Sequence, residues 1–125
     1  LEHLSPISSN LINTAKDLRQ AADENSSPNL KAMLDTCQVG IVHEHVRDYL
    51  ELLGKDLVHV HLVDGTPGGH LAFGDGNLPL KEFVDTLGEY GYEGCLSMEI
   101  ADRRYFMDPR QADRQSIETF KSWIQ

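Results

Sequence analysis

The sequence contains no apolar run long enough to cross a membrane and no signal-peptide pattern at its start. It has only two cysteines, Cys37 and Cys95. Two isolated cysteines make no disulfide framework, and neither has zinc-motif spacing. Free, buried thiols in a reducing cytosol are therefore expected. Basic residues are scarce: 11 Lys and Arg stand against 20 Asp and Glu, a formal charge of −9. Such an acidic surface repels phosphate backbones and argues against a nucleic-acid partner. An initiator methionine is also missing. The chain opens on Leu1-Glu2-His3-Leu4 with no cap or turn signal, so a piece of a longer protein is expected. What remains is ordinary: 125 residues, 40% hydrophobic and 25% charged, fit one soluble globular domain.

The stretch Leu57-Val58-His59-Val60-His61-Leu62-Val63-Asp64 organises the rest. It predicts a buried strand with two histidines on one face and a carboxylate at its end. The loop that follows, Gly65 to Pro79, holds five of the ten glycines. Long loops inside compact domains are usually functional. Upstream, Leu11, Ala15, Leu18 and Ala22 share a helical face, with Thr14 and Asp17 as a capping box. The polar cluster Asn25 to Asn29, with Pro28, ends that helix. Leu30 to Asp35 reads as a short strand and Thr36 to Gly40 as a loop. Val42, Val46, Tyr49, Leu50 and Leu53 form a helical stripe closed by Gly54.

Downstream, Pro79 opens a helix with the stripe Leu80, Phe83, Val84, Leu87 and Tyr90, closed by Gly91. Cys95 to Ile100 is the last strand, and Ala101 to Met107 a polar loop. Asp108-Pro109 starts a closing helix expected to bury Ile117, Phe120 and Ile124, with Trp123 nearby. With Leu1 to Leu4 as the end of a first strand, the order is four βα units. Alternating strands and helices imply a parallel sheet with crossover helices, covered on both faces.

Each unit ends its strand with a potential metal ligand: Glu2, Asp35, His61 (with Asp64 beyond it) and Glu99. In parallel α/β proteins the site lies at the carboxyl ends of the strands, so these four side chains converge. A carboxylate buried without a partner is costly, which gives Asp35 and Glu99 a reason to share one. Singly, each has a plainer reading. Asp35 alone is a cap of the next turn, and Glu2 alone means nothing so near the end. The coincidence of four carries the metal reading. His59, two residues deeper than His61, keeps the plain one, a packed and hydrogen-bonded core histidine. Asp64 either orients His61 or touches substrate. One imidazole with three carboxylates is a mainly oxygen site. It suits Mn²⁺ first, then Mg²⁺, Co²⁺ or Zn²⁺.

Glu2, Met33-Leu34-Asp35-Thr36, His59 to Asp64 and Ser97-Met98-Glu99 together resemble the second half of the xylose-isomerase-like sugar epimerases. Within these, the D-tagatose 3-epimerase and fructoselysine 3-epimerase families are the nearest. The resemblance covers nearly all of residues 1–125 and implies the C-terminal half of a TIM (β/α)8 barrel. It implies a divalent metal held by Glu2, Asp35, His61 and Glu99, with Glu2 and Glu99 also catalytic. The loop His70-Leu71-Ala72-Phe73-Gly74-Asp75-Gly76 is similar to the family's glycine loop, which makes His70 and Asp64 candidate substrate contacts. Three positions depart from the family pattern. Gln38 stands where these families place a substrate-binding histidine. Phe73 replaces a proline, and no arginine follows His61 within the loop.

The chemistry so implied is removal of a proton next to a ketose carbonyl, through an enediolate, with return of a proton to the opposite face. The expected partners are a sugar, phosphorylated or not, and a second half for the barrel. That half is either an N-terminal one or another copy, and a homo-oligomer is expected. Alternatives on the same scaffold are a hydroxypyruvate-type isomerase or an inosose-type dehydratase. An abasic-site endonuclease fits less well, because His43 and His45 sit at a helix start and the charge is acidic. A non-catalytic barrel fragment is the alternative of a different class.

Overall fold

The computed structural model describes residues 1–124. In order, the elements are α1 (Ala15–Asn25), β1 (Ala32–Asp35), α2 (Thr36–Ile41), α3 (Val46–Leu53), β2 (Leu57–His61), α4 (Leu80–Glu89), β3 (Cys95–Ser97) and α5 (Pro109–Trp123). Short 3₁₀ turns occupy Gly54–Asp56 and Arg103–Tyr105. The three strands form a parallel sheet in the order β1-β2-β3. Glu2 makes a parallel bridge to Met33, so the Leu1–Leu4 segment takes a fourth strand position beside β1. The open parallel sheet follows the alternation of strands and helices that the apolar runs predict.

Helix starts follow their caps. Thr14 accepts from the Asp17 amide while the Asp17 carboxylate takes the Thr14 amide, completing the expected capping box of α1. Asp108 caps α5 by accepting from the Gln111 amide, with Pro109 in the first turn. The core is a layer of Leu18, Leu34, Tyr49, Val60, Leu62, Phe73 and Leu87 between sheet and helices. Phe73 stacks on Trp123 at 5.6 Å, which holds α5 against the loop after β2.

Several expectations are corrected. Thr36 to Gly40 is helical, because the Asp35 carboxylate caps the turn through the Cys37 and Gln38 amides. The stripe expected from Val42 begins only at Val46; His43, at φ 57°, separates α2 from α3. Cys37 is buried as expected, but Cys95 is exposed, because β3 is a sheet edge. Ile117 and Ile124 are also exposed, and α5 buries Ala112 and Ser116 instead. The apolar side of α5 overhangs β3, where no further strand lies among the described residues, so the sheet is not covered on both faces at this edge.

Candidate metal and substrate site

Strand register brings the candidate ligands together. Glu2 is level with Met33, two residues before Asp35; Asp35 is level with His61; and His61 is level with Ser97, two residues before Glu99. Even steps keep side chains on one face of a sheet. Glu2 Oε1 and Asp35 Oδ2 both lie 3.7 Å from His61 Nδ1, and Glu99 Oε2 lies 3.1 Å from it. One ligand atom from each residue falls within 4.8 Å of the others.

His61 Nδ1 is buried and finds no hydrogen-bond partner among the described residues, although Glu99 is within reach. The spacing is that of a hydrogen bond but the direction is not. A nitrogen ringed by three carboxylates offers a donor set that suits a divalent cation. Bonds of about 2.1 Å to a shared ion would put neighbouring ligand atoms roughly 3–4 Å apart. Glu2, Asp35, His61 and Glu99 therefore fit such an ion. Burial raises the Glu2 carboxyl above its ordinary range, against the opposing pull of His61, and the Asp35 and Glu99 charges raise it further.

His70 joins this cluster. Its Nε2 is 3.1 Å from Asp35 Oδ2 and 3.3 Å from Glu99 Oε2. The hydrogen bond to Asp35 raises the His70 pKa. Its backbone sits at φ 49°, a left-handed conformation that costs energy for a residue with a Cβ. The His70 carbonyl accepts from the Ala101 amide, which ties the loop to the segment just beyond Glu99. Gln38 is nearly buried beside Asp35, and its Oε1 has no partner among the described residues. His59 donates to or accepts from Ser97 Oγ at 2.6 Å, a supporting contact on the same face as His61.

The Xylose isomerase-like TIM barrel model matches residues 1–123. The chain belongs to this family. Fructoselysine 3-epimerase of Escherichia coli O157:H7 is 36% identical over 126 residues, which cover 99% of this chain and 46% of that protein. D-psicose 3-epimerase of Enterocloster bolteae is 30% identical over 99 residues, covering 79% of this chain and 32% of that one. Among solved structures, 3-keto-D-glucoside 4-epimerase from E. coli superposes with a TM-score of 0.80 at 25% identity, over 98% of this chain and 44% of that one. The chain thus spans about half the length of the relatives it matches.

Within this xylose isomerase-like frame, Asp64 organises the loop after β2. It is buried, and its two oxygens accept from the amides of Gly65, Gly74, Gly76 and Leu78. A Cβ on Gly76 would collide with Asp64 Oδ1 and the Gly65 backbone, so only glycine allows this approach. Sequence reasoning also missed several supporting residues. Thr36 Oγ1 donates to the Val63 carbonyl at 2.6 Å and accepts from the Val63 amide at 2.9 Å, joining the ends of β1 and β2. Tyr105 accepts from the Ala72 amide and donates to Asp75, clamping the loop to the segment after Glu99. His3 is wholly buried next to Glu2, and desolvation lowers its pKa. Each is a polar residue with no periodic signal; only its neighbours in space reveal it.

Proposed function

We propose that this chain supplies the metal-binding half of a sugar epimerase acting on a ketose. The observation that carries the reading is the convergence of Glu2, Asp35 and Glu99 on His61 Nδ1, which has no hydrogen-bond partner among the described residues. The epimerases among its relatives support the choice of reaction. Glu2, Asp35, His61 and Glu99 would hold a divalent cation, with Mn²⁺ preferred for a mainly oxygen set. When bound, such an ion polarises the substrate carbonyl and fixes the oxygens beside it.

The residues of this chain divide the remaining work. Asp35 is fully buried, whereas the Glu2 and Glu99 side chains are 32% and 48% exposed. These two carboxylates come from opposite ends of the row of strands and flank a substrate lying over the site. One takes the proton from the carbon next to the carbonyl. The other returns a proton to the opposite face of the enediolate and inverts the centre. Gln38 and His70 would contact the substrate hydroxyls: Gln38 Oε1 has no donor among the described residues, and His70 Nε2 lies at the cluster, 3.1 Å from Asp35 Oδ2 and 3.3 Å from Glu99 Oε2. The rest of the pocket comes from the half that closes the barrel.

Glu99→Gln tests the assignment in the full-length protein. Deuterium wash-in from heavy water is followed over a panel of ketoses and ketose phosphates. The variant should lose at least about 100-fold in exchange rate with its melting temperature retained. Full exchange activity in Glu99→Gln would refute the role.

A further inference from the structure

We propose that His3 is a positioning residue of the metal centre: it anchors the main chain of Asp35 through a buried relay that runs on to Tyr49 and Glu44. The proposal rests on the metal reading above. Glu2 and His3 are neighbours on the first strand, so their side chains leave it on opposite faces. Glu2 points to the ligand cluster and His3 into the interior, where it is 0% exposed.

The strand ladder shows what His3 does. Met33 donates its amide to the Leu1 carbonyl at 2.8 Å. In a parallel ladder the next rung would be the Asp35 amide to the His3 carbonyl. Instead, the Asp35 amide donates to His3 Nε2 at 3.3 Å. An amide N–H can only donate, so Nε2 is the unprotonated nitrogen and Nδ1 carries the hydrogen. Nδ1 lies 2.9 Å from the Tyr49 hydroxyl oxygen and 3.4 Å from the Asn13 carbonyl. Tyr49 sends its own proton to Glu44 Oε2 at 2.6 Å, which leaves its oxygen to accept from His3. Glu44 Oε2 also accepts from the Ala15 amide at the start of α1.

Asp35 is thus fixed at its main-chain nitrogen by His3 and at Oδ1 by the Cys37 and Gln38 amides. Oδ2, 3.1 Å from His70 Nε2, is left to face Glu2, His61 and Glu99. His3 is also bonded covalently to Glu2. One imidazole therefore sets the height of the first strand against β1, and with it two of the four ligands. An apolar residue of the same size would fill the space without setting that height.

The test uses the full-length protein and Co²⁺ as the probe, read by its visible absorption spectrum and by titration. Tyr49→Phe keeps the ring packing and removes only the oxygen that receives the His3 proton. It should weaken Co²⁺ binding about tenfold, and His3→Leu by about 10- to 100-fold, both with an altered Co²⁺ spectrum. His3→Gln, which can offer an oxygen to the Asp35 amide, should recover part of the loss. In metal-free protein, hydrogen exchange at the Asp35 amide should speed up in His3→Leu and Tyr49→Phe, with the Val60 amide unchanged. Unchanged affinity, spectrum and Asp35 exchange in both variants would overturn the proposal. A wild-type protein that takes up no Co²⁺ would overturn the metal reading instead, and the Asp35 exchange rates would then decide the anchor on their own.

Discussion

Asp35 has two oxygens and gives each a different task. Oδ1 caps α2 through the Cys37 and Gln38 amides, and Oδ2 faces the ligand cluster. In the sequence, cap and ligand look like rival readings of one residue; in space they belong to different atoms. Asp35→Asn separates them, because asparagine keeps a carbonyl oxygen for the cap and puts an amide nitrogen where Oδ2 stood. The variant should melt within a few degrees of the parent and lose at least about tenfold in Mn²⁺ or Co²⁺ affinity, measured by calorimetry. Undiminished binding would remove Asp35 from the ligand set. The strand-end placement of Glu2, Asp35, His61 and Glu99 was legible because a polar side chain in an apolar run needs a partner. The roles of His3, Thr36 and the Tyr49 hydroxyl were not legible. Their partners lie 32, 27 and 46 residues away along the chain, and no local pattern announces them.

At the level of elements, β1, β2, α4 and α5 were readable from period and caps, and two segments were not. The six residues of α2 are too few to show a helical period, and their start depends on the side chain of Asp35. The loop from Gly65 to Pro79 reads as glycine-rich and polar, yet it has a defined shape around the buried Asp64 carboxylate. Its far end is held by Tyr105 and by Gln115, which donates to the Phe73 carbonyl and to Asp75. Asp64→Ala leaves those backbone amides without their acceptor, at about 1–3 kcal/mol for each one that water cannot reach. Loss of about 2 kcal/mol would lower the melting temperature by roughly 10 °C. Hydrogen exchange should accelerate at Gly74, Gly76 and Leu78 first. If those amides stay protected, Asp64 is not what shapes the loop. The same substitution should weaken metal binding through His70, whose strained conformation depends on the loop.

For the whole molecule, the decisive feature is the open edge beside β3. Leu62, Phe73, Leu96, Met98, Ile117, Phe120 and Ile124 line a groove of about 420 Å³ there, and Ile124 is 62% exposed. A parallel edge strand with an apolar flank is a template for further strand pairing. In a closed barrel no such edge exists. The formal charge of −9 opposes unlimited aggregation by mutual repulsion, so a closed assembly of small size is favoured over a growing one. Residues 1–125 expressed alone should therefore run as a dimer or small oligomer by light scattering. Ile117→Lys with Ile124→Lys should shift them toward monomer and leave the cluster of Glu2, Asp35, His61 and Glu99 untouched, as Co²⁺ binding would report. A monomer that melts cooperatively and binds no hydrophobic dye would contradict this. It would mean that the α5 overhang and the β3 edge are tolerated in water, and that closing the barrel serves the substrate pocket rather than the stability of this half.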